Sequence, residues 1–291
     1  MRKILNFGSL NIDYVYRLEH IVNPGETITS LGLEVFPGGK GLNQSVALAR
    51  AGAKVYHAGH IGEDGDFLKE ICSRSGVNVD YVKQIAVRTG NAIIQVAENG
   101  QNAILLFAGA NRENTKEYVD EILSWFKKGD VLLLQNEVNL TDYMVDSANA
   151  KGMLVILNPS PYDERLECCD LSKVNVFIMN EIEGAQITGE EKPEEILKVM
   201  YKKYPGSEVV LTLGDKGSIY SNGEHTYTQE AISVKAVDTT AAGDTFTGYY
   251  IAGMLERMSK KEALELAAKA SAIAVSRNGA SSSIPMRCEV L

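Results

Sequence analysis

No apolar run in these 291 residues approaches the ~20 that a membrane-spanning helix needs. Residues 1–12 are interrupted at Gly8, too soon for the apolar segment of a secretion signal. The four cysteines, Cys72, Cys168, Cys169 and Cys288, lack metal-ligand spacing. The adjacent pair is poorly placed for an ordinary disulfide, so a reduced, cytoplasmic setting is expected. Basic residues are in deficit, with 29 Lys and Arg against 38 Asp and Glu. The resulting net charge of −9 argues against a nucleic-acid surface. Two glycine motifs are missing as well. Lys40 is followed by Gly41, so there is no G-x-x-x-x-G-K-[ST] frame, and no G-x-G-x-x-G follows the first apolar run.

What is present is ordinary globular material, 45% hydrophobic and 23% charged, long enough for one large α/β domain or two smaller ones. From residue 53 to 235, short apolar runs (55–61, 130–135, 153–157, 174–179 and 209–213) alternate with helix-like stretches (66–75, 116–128, 141–150, 182–188 and 194–203). Such alternation predicts a mostly parallel sheet covered by helices on both faces, in a single domain over 1–291. Ahead of it, 3–7 reads as a buried strand. Asn11 and Asp13 stand just past its end, where open α/β sheets bind ligands. Two pairs of strand-like pieces do not fit the alternation: 14–18 with 27–36 around Asn23-Pro24-Gly25, and 91–97 with 101–107 around Asn99-Gly100, a hairpin signal. Between them, Pro37-Gly38-Gly39-Lys40-Gly41-Leu42-Asn43-Gln44 leads into a helix closed by Gly52.

The most informative stretch is Val237 to Gly248. It joins an apolar-alternating run to an amphipathic one (Phe246, Tyr249, Tyr250, Met254, Leu255, Met258) through small residues. A helix is predicted to begin near Ala242, presenting unpaired N–H groups at Ala241–Asp244 to an anion. Asp244 places a carboxylate beside that anion hole. A base for a substrate hydroxyl would need to be there; otherwise Asp244 is an acidic first-turn residue.

The string Asp-Thr-Thr-Ala-Ala-Gly-Asp-Thr-Phe resembles the C-terminal signature of the ribokinase-like (PfkB) sugar kinases. Asn11-x-Asp13, Gly-Gly-Lys-Gly-x-Asn-Gln, the strand-end Glu137, Asn180-x-x-Glu183 and Thr212-x-Gly214-x-x-Gly217 follow in family order. The resemblance implies a ribokinase-like α/β fold, with lid strands within about 14–36 and 90–108 leaving the main sheet to cover the sugar. It implies an ATP-dependent kinase with D-ribose as acceptor at its 5-hydroxyl. Asp244 would be the base and Ala241, Ala242 and Gly243 the anion hole. Asn11, Asp13, Gly39, Lys40, Gly41, Asn43 and Glu137, with Asp244, would hold the sugar. Asn180, Thr212, Leu213, Gly214, Asp215, Lys216 and Gly217, with Gly243 and Asp244, would border ATP, and the adenine would lie in the region of Ala268.

Magnesium would accompany ATP, with Glu183 acting through water. A monovalent cation, as potassium, would bind at Asp238, Thr240, Ala274, Arg277, Gly279 and Ser283, largely through carbonyl oxygens. Arg277 could ligate only by its carbonyl, since a guanidinium offers no lone pair. For Gly279, closure of the tail helix is the plainer reading. Exposed edges and apolar faces on the lid predict a homodimer in which two lids cover each other. Three alternatives stand beside this reading. One is a same-fold kinase for deoxyribose, fructose, a ketodeoxy sugar acid or a nucleoside. Another is a non-catalytic sugar-binding protein, for which loss of Asp244 would be expected. The last is a dinucleotide-dependent oxidoreductase, opposed by the missing glycine fingerprint.

Overall fold

The computed structural model describes residues 2–291. In chain order the elements are β1 (Ile4–Phe7), β2 (Asn11–Leu18), β3 (Gly32–Gly38), α1 (Lys40–Arg50), β4 (Val55–Ile61), α2 (Asp66–Arg74), β5 (Asn78–Gln84), β6 (Gly90–Ala97), β7 (Asn102–Phe107), α3 (Lys116–Ser124), β8 (Val131–Gln135) and α4 (Thr141–Ala150). They continue as β9 (Leu154–Asn158), β10 (Val176–Asn180), α5 (Glu181–Thr188), α6 (Pro193–Lys203), β11 (Glu208–Thr212), β12 (Ser218–Ser221), β13 (Thr226–Gln229), α7 (Ala242–Leu255), α8 (Lys260–Val275) and α9 (Arg287–Val290). Among the described residues no helix is long and apolar enough to cross a membrane.

Nine strands form the main sheet in the order β13-β12-β11-β10-β9-β8-β1-β4-β5. All neighbours from β11 to β5 pair in parallel, and the β11-β12-β13 hairpins close one edge antiparallel. Buried on both faces, the central strands read as unbroken apolar runs whose side chains alternate between two cores. In β8, Val131 and Leu133 join the core under α1, α7 and α8, while Leu132 and Leu134 join the one under α3, α4 and α6. The second sheet has the order β3-β2-β6-β7, with β2 and β6 parallel and the outer pairs antiparallel. It springs from the main sheet immediately after β1.

Several boundaries differ from expectation. Asn11 and Asp13, expected just past the end of the first strand, lie within a strand of their own: β2 begins at Asn11, opposite both Gly38 and Gly90. Residues 27–31 are not strand, because β2 pairs β3 only from Arg17 opposite Gly32 to Asn11 opposite Gly38, so the first lid pair spans 11–38. β5 was not read from the sequence at all. As an edge strand with one partner it alternates polar and apolar residues (Asn78-Val-Asp-Tyr-Val-Lys-Gln84) and forms no long apolar run. The apolar alternation before the Asp-Thr loop, at 230–237, is irregular backbone and not strand. The tail helix ends at Val275, before Gly279, whose N–H bonds Asp238 Oδ2 at 3.0 Å.

Candidate active site

The site lies where the C-terminal ends of the parallel strands meet the first turns of α1 and α7, the crevice that an open α/β sheet offers to ligands. Close glycine contacts set the approach of these elements. A Cβ on Gly41 would lie 2.3 Å from Ser9 N, and one on Gly248 would lie 2.4 Å from Ala47 Cβ. Only glycine therefore lets α1 rest on β1 and α7 rest on α1. Gly38 passes beside Asp13 in the same way, with 2.1 Å between an added Cβ and Asp13 Oδ2.

α7 begins at Ala242 as predicted, after Ala241 in the left-handed conformation (φ 60°). A non-glycine residue held there is a strained feature of the kind found at ligand clamps. It is held by its own carbonyl, which accepts Thr245 N and Thr245 Oγ1, each at 2.8 Å. Ala242 N–H is not free for an anion, since it donates to Thr239 O at 3.2 Å. Ala241, Gly243 and Asp244 keep N–H groups without a protein acceptor.

Asp244 is 8% exposed and lines the cavity wall. Asn43 Nδ2 donates to its Oδ2 at 3.0 Å and Gln44 Nε2 to its Oδ1 at 2.9 Å. The other end of the Asn43 amide, Oδ1, is buried and accepts from no donor, the mark of a partner supplied from outside the chain. Glu137 accepts from Ser9 Oγ and, at 3.0 Å, from Lys40 N. Burial pushes its carboxyl up despite the pull of the Lys40 charge. Burial also raises Asp13, to about 6, with the Glu137 charge adding to the effect. For Lys40, burial acts to lower the ammonium. The carboxylates of Asp244, Glu137 and Glu183 outweigh it and hold Lys40 above its ordinary range. Asn11 Oδ1 accepts from Asn111 Nδ2 at 2.7 Å, which leaves the Asn11 amide donors unspent.

Two adjoining cavities share Thr212, Thr239, Ala242 and Gly243. The smaller, about 230 Å³, is lined by Lys40, Asn158, Ser160, Asn180, Glu183 and residues 241–244. The larger, about 610 Å³ and more apolar, is walled by Gly214, Asp215, Gly217, the 231–236 segment and Ala268, Ser271, Ala272 and Val275 of α8. Asn180 and Glu183 form a capping box on α5, each side chain bonding the other's backbone N–H, at 2.9 and 3.0 Å. Glu183 Oε1 keeps no protein partner.

Some expected positions point elsewhere. Leu213 packs into the core under α5 and α6, Lys216 is exposed, and Gly41 lies against the Gly8–Ser9 backbone. Asp238 Oδ1 accepts Thr240 N at 2.8 Å, while Arg277 pairs with Glu289 at 2.6 Å and Ser283 Oγ donates to Ala280 O at 2.8 Å. Ala274 O accepts Arg277 N, whereas the carbonyls of Thr240, Arg277 and Gly279 accept from no donor. Other lining residues were not singled out from the sequence. Asn158 ends β9 and Ser160 follows it, so both could have been found by the same strand-end rule that marked Glu137. The 231–236 wall carries no motif.

With this geometry in view, comparison with known proteins is consistent along the chain. The pfkB family of carbohydrate kinases matches residues 1–287. The ribokinase of Haemophilus influenzae is 36% identical, with 100% of this chain and 98% of that protein covered, and that of Schizosaccharomyces pombe is 37% identical, covering 100% and 97%. The solved structure of Arabidopsis thaliana ribokinase complexed with ribose and ATP superposes with a TM-score of 0.89 at 30% identity, covering 99% of this chain and 97% of that one. The fold is thus ribokinase-like, and the chain belongs to the pfkB family of carbohydrate kinases, phosphotransferases that act on a sugar hydroxyl.

Proposed function

We propose that this protein transfers the γ-phosphoryl group of ATP to the 5-hydroxyl of D-ribose. Asp244 carries the reading: a buried carboxylate on a cavity wall, both oxygens held by amide donors, at a helix N-terminus with unspent N–H groups. It takes the proton of the acceptor hydroxyl as the new O–P bond forms and the bond to the leaving ADP oxygen breaks. The N–H groups of Ala241, Gly243 and Asp244 and the Lys40 ammonium receive the charge on the transferring group. Asn11, Asp13, Asn43 and Glu137 orient the sugar, with donors on Asn11 complementing acceptors on the others. The larger cavity suits a nucleoside and the smaller one its phosphates.

Among the described residues no three His, Cys, Asp or Glu side chains converge on one point. Magnesium would therefore arrive with the triphosphate and be held through its own waters near Glu183, neutralising phosphate charge. A monovalent cation fits the free carbonyls of Thr240, Arg277 and Gly279, below the anion hole, with Asp238 tying the two loops together. The lid's apolar residues suit a homodimer in which a second lid covers them.

ADP release measured over pentoses, 2-deoxyribose, hexoses and nucleosides, with and without potassium, tests the reading. The highest kcat/KM is expected with ribose, and a higher value for any other acceptor would replace it. Asp244→Asn is expected to lower kcat by ~10²–10⁴, the range for a lost general base.

A further inference from the structure

The amides beneath Asp244 form one oriented chain. Gln44 Nε2 divides its two hydrogens between Asp244 Oδ1, at 2.9 Å, and Asn158 Oδ1, at 3.0 Å. Its Oε1 accepts from Gln135 Nε2 at 2.6 Å, and Gln135 Nε2 also donates to Asn6 Oδ1 at 3.0 Å. Asn6 Nδ2 is spent on Gly41 O and Ser45 Oγ, each at 2.8 Å. Asn6, Gln44 and Gln135 are fully buried.

Turning the Gln44 amide over would set its oxygen against two acceptor oxygens and its NH₂ against that of Gln135. Turning Gln135 with it would face the Gln135 oxygen toward Asn6 Oδ1. The orientation is therefore locked from below, at the cost of Gln135 Oε1, which is buried without a donor. Asn43, on the other carboxylate oxygen, has no such lock, since its own Oδ1 is unpartnered. Of the two donors to Asp244, only Gln44 is immobilised by the protein.

We propose that Gln44 is a positioning residue for phosphoryl transfer. Through a fixed N–H bond it sets the plane of the Asp244 carboxylate, so that a lone pair stays aimed at the acceptor hydroxyl before substrate arrives. The proposal rests on Asp244 being the base. Without that bond the carboxylate is free to turn from the hydroxyl, so the loss falls on the chemical step and not on sugar binding.

Gln44→Met keeps the volume without the donor, and Gln44→Glu keeps the shape while placing a second carboxyl against Asp244. The kcat is expected to fall by about tenfold to a hundredfold in Gln44→Met, and further in Gln44→Glu, while the sugar KM changes by less than about threefold. A residue serving packing alone would lower the melting temperature and leave the kcat of the folded enzyme at its wild-type value, and that result overturns the proposal. If Gln44→Met fails to fold, Gln44→Glu, which keeps the acceptor for Gln135, gives the same reading. Asp244→Asn runs in parallel. If it keeps wild-type activity, the assignment of the base itself falls. If it is inactive while the Gln44 variants keep the wild-type kcat, only the positioning role falls.

Discussion

At the scale of single residues, the site stores unfavourable electrostatics that a sugar would relieve. Asp13 and Glu137 are both raised by burial and by nearby negative charge, with Asp13 at about 6 against an ordinary 3.8. A carboxyl whose folded value is raised lowers stability fully above about pH 6. The penalty shrinks as the pH falls toward 3.8 and vanishes below it, where both folded and unfolded states are protonated. Asp13→Asn is thus expected to raise unfolding free energy by about 1–3 kcal/mol at pH 7.5, with a clearly smaller gain at pH 5.0, as read by urea denaturation at the two pH values. The same substitution should raise the KM for sugar, because an ionised carboxylate accepts hydroxyl hydrogens better than an amide oxygen does.

At the scale of elements, catalysis depends on how closely α1 and α7 approach. Asn43 and Gln44 sit where the first turn of α1 passes into the second and Asp244 in the first turn of α7, and the two helices touch backbone to side chain at Gly248 and Ala47. Gly248→Ala would force them apart, since 2.4 Å between two Cβ atoms cannot be absorbed by a rotamer change. Overpacking of this kind costs typically about 1–3 kcal/mol. The amide bonds to Asp244 would stretch with it, so kcat should fall by roughly tenfold or more while the KM for ATP, on the proposal that the larger cavity takes the nucleoside, changes less. Calorimetry and steady-state kinetics on one preparation read both effects; unchanged kcat in a destabilised variant would separate helix packing from the chemistry. The strained turn at Ala241 belongs to the same scale, because Thr245, one turn into α7, holds it in place.

At the scale of the whole molecule, the four-stranded sheet leaves an apolar surface uncovered. β7 is an edge strand whose Ile104, Leu105, Leu106 and Phe107 are 57%, 66%, 58% and 53% exposed. Successive residues of a strand face opposite ways, so both faces of this edge are apolar. In cross-strand register Leu105 continues a row through Ile93, Tyr14 and Val35. A long apolar edge of this kind pairs or aggregates unless it is covered. Sedimentation is expected to show a dimer at micromolar concentration, and the double substitution Ile104→Asp with Leu105→Asp is expected to give monomer with the main domain still folded. A wild-type monomer under those conditions would remove the dimer.

Much of the fold was legible in the sequence because its signals are local. Continuous apolar runs mark strands buried on both faces, the Asn99-Gly100 turn marks the β6–β7 hairpin, and small residues before an apolar helical period mark the start of α7. The candidate residues Asn43, Glu137 and Asp244 were marked by equally local signals, a strand end or the start of a helix, whereas Asn11 and Asp13 lie inside β2. What the chain alone could not determine lies between distant segments. The bond from Gln44 to Asp244 spans 200 positions, and that from Asn43 spans 201. The 231–236 segment alternates like a strand yet walls a cavity, because β13 has already ended at Gln229 and the segment lines the larger cavity instead of pairing with a strand. Periodicity reports that a face is apolar, while the surrounding fold alone decides whether protein, a second copy or a bound nucleotide covers it. In the same way the sequence by itself determined the types of functional group and the elements that carry them. Only tertiary packing decided which amide meets which carboxylate, because hydrogen-bond partners are selected by distance and orientation in space and not by separation along the chain.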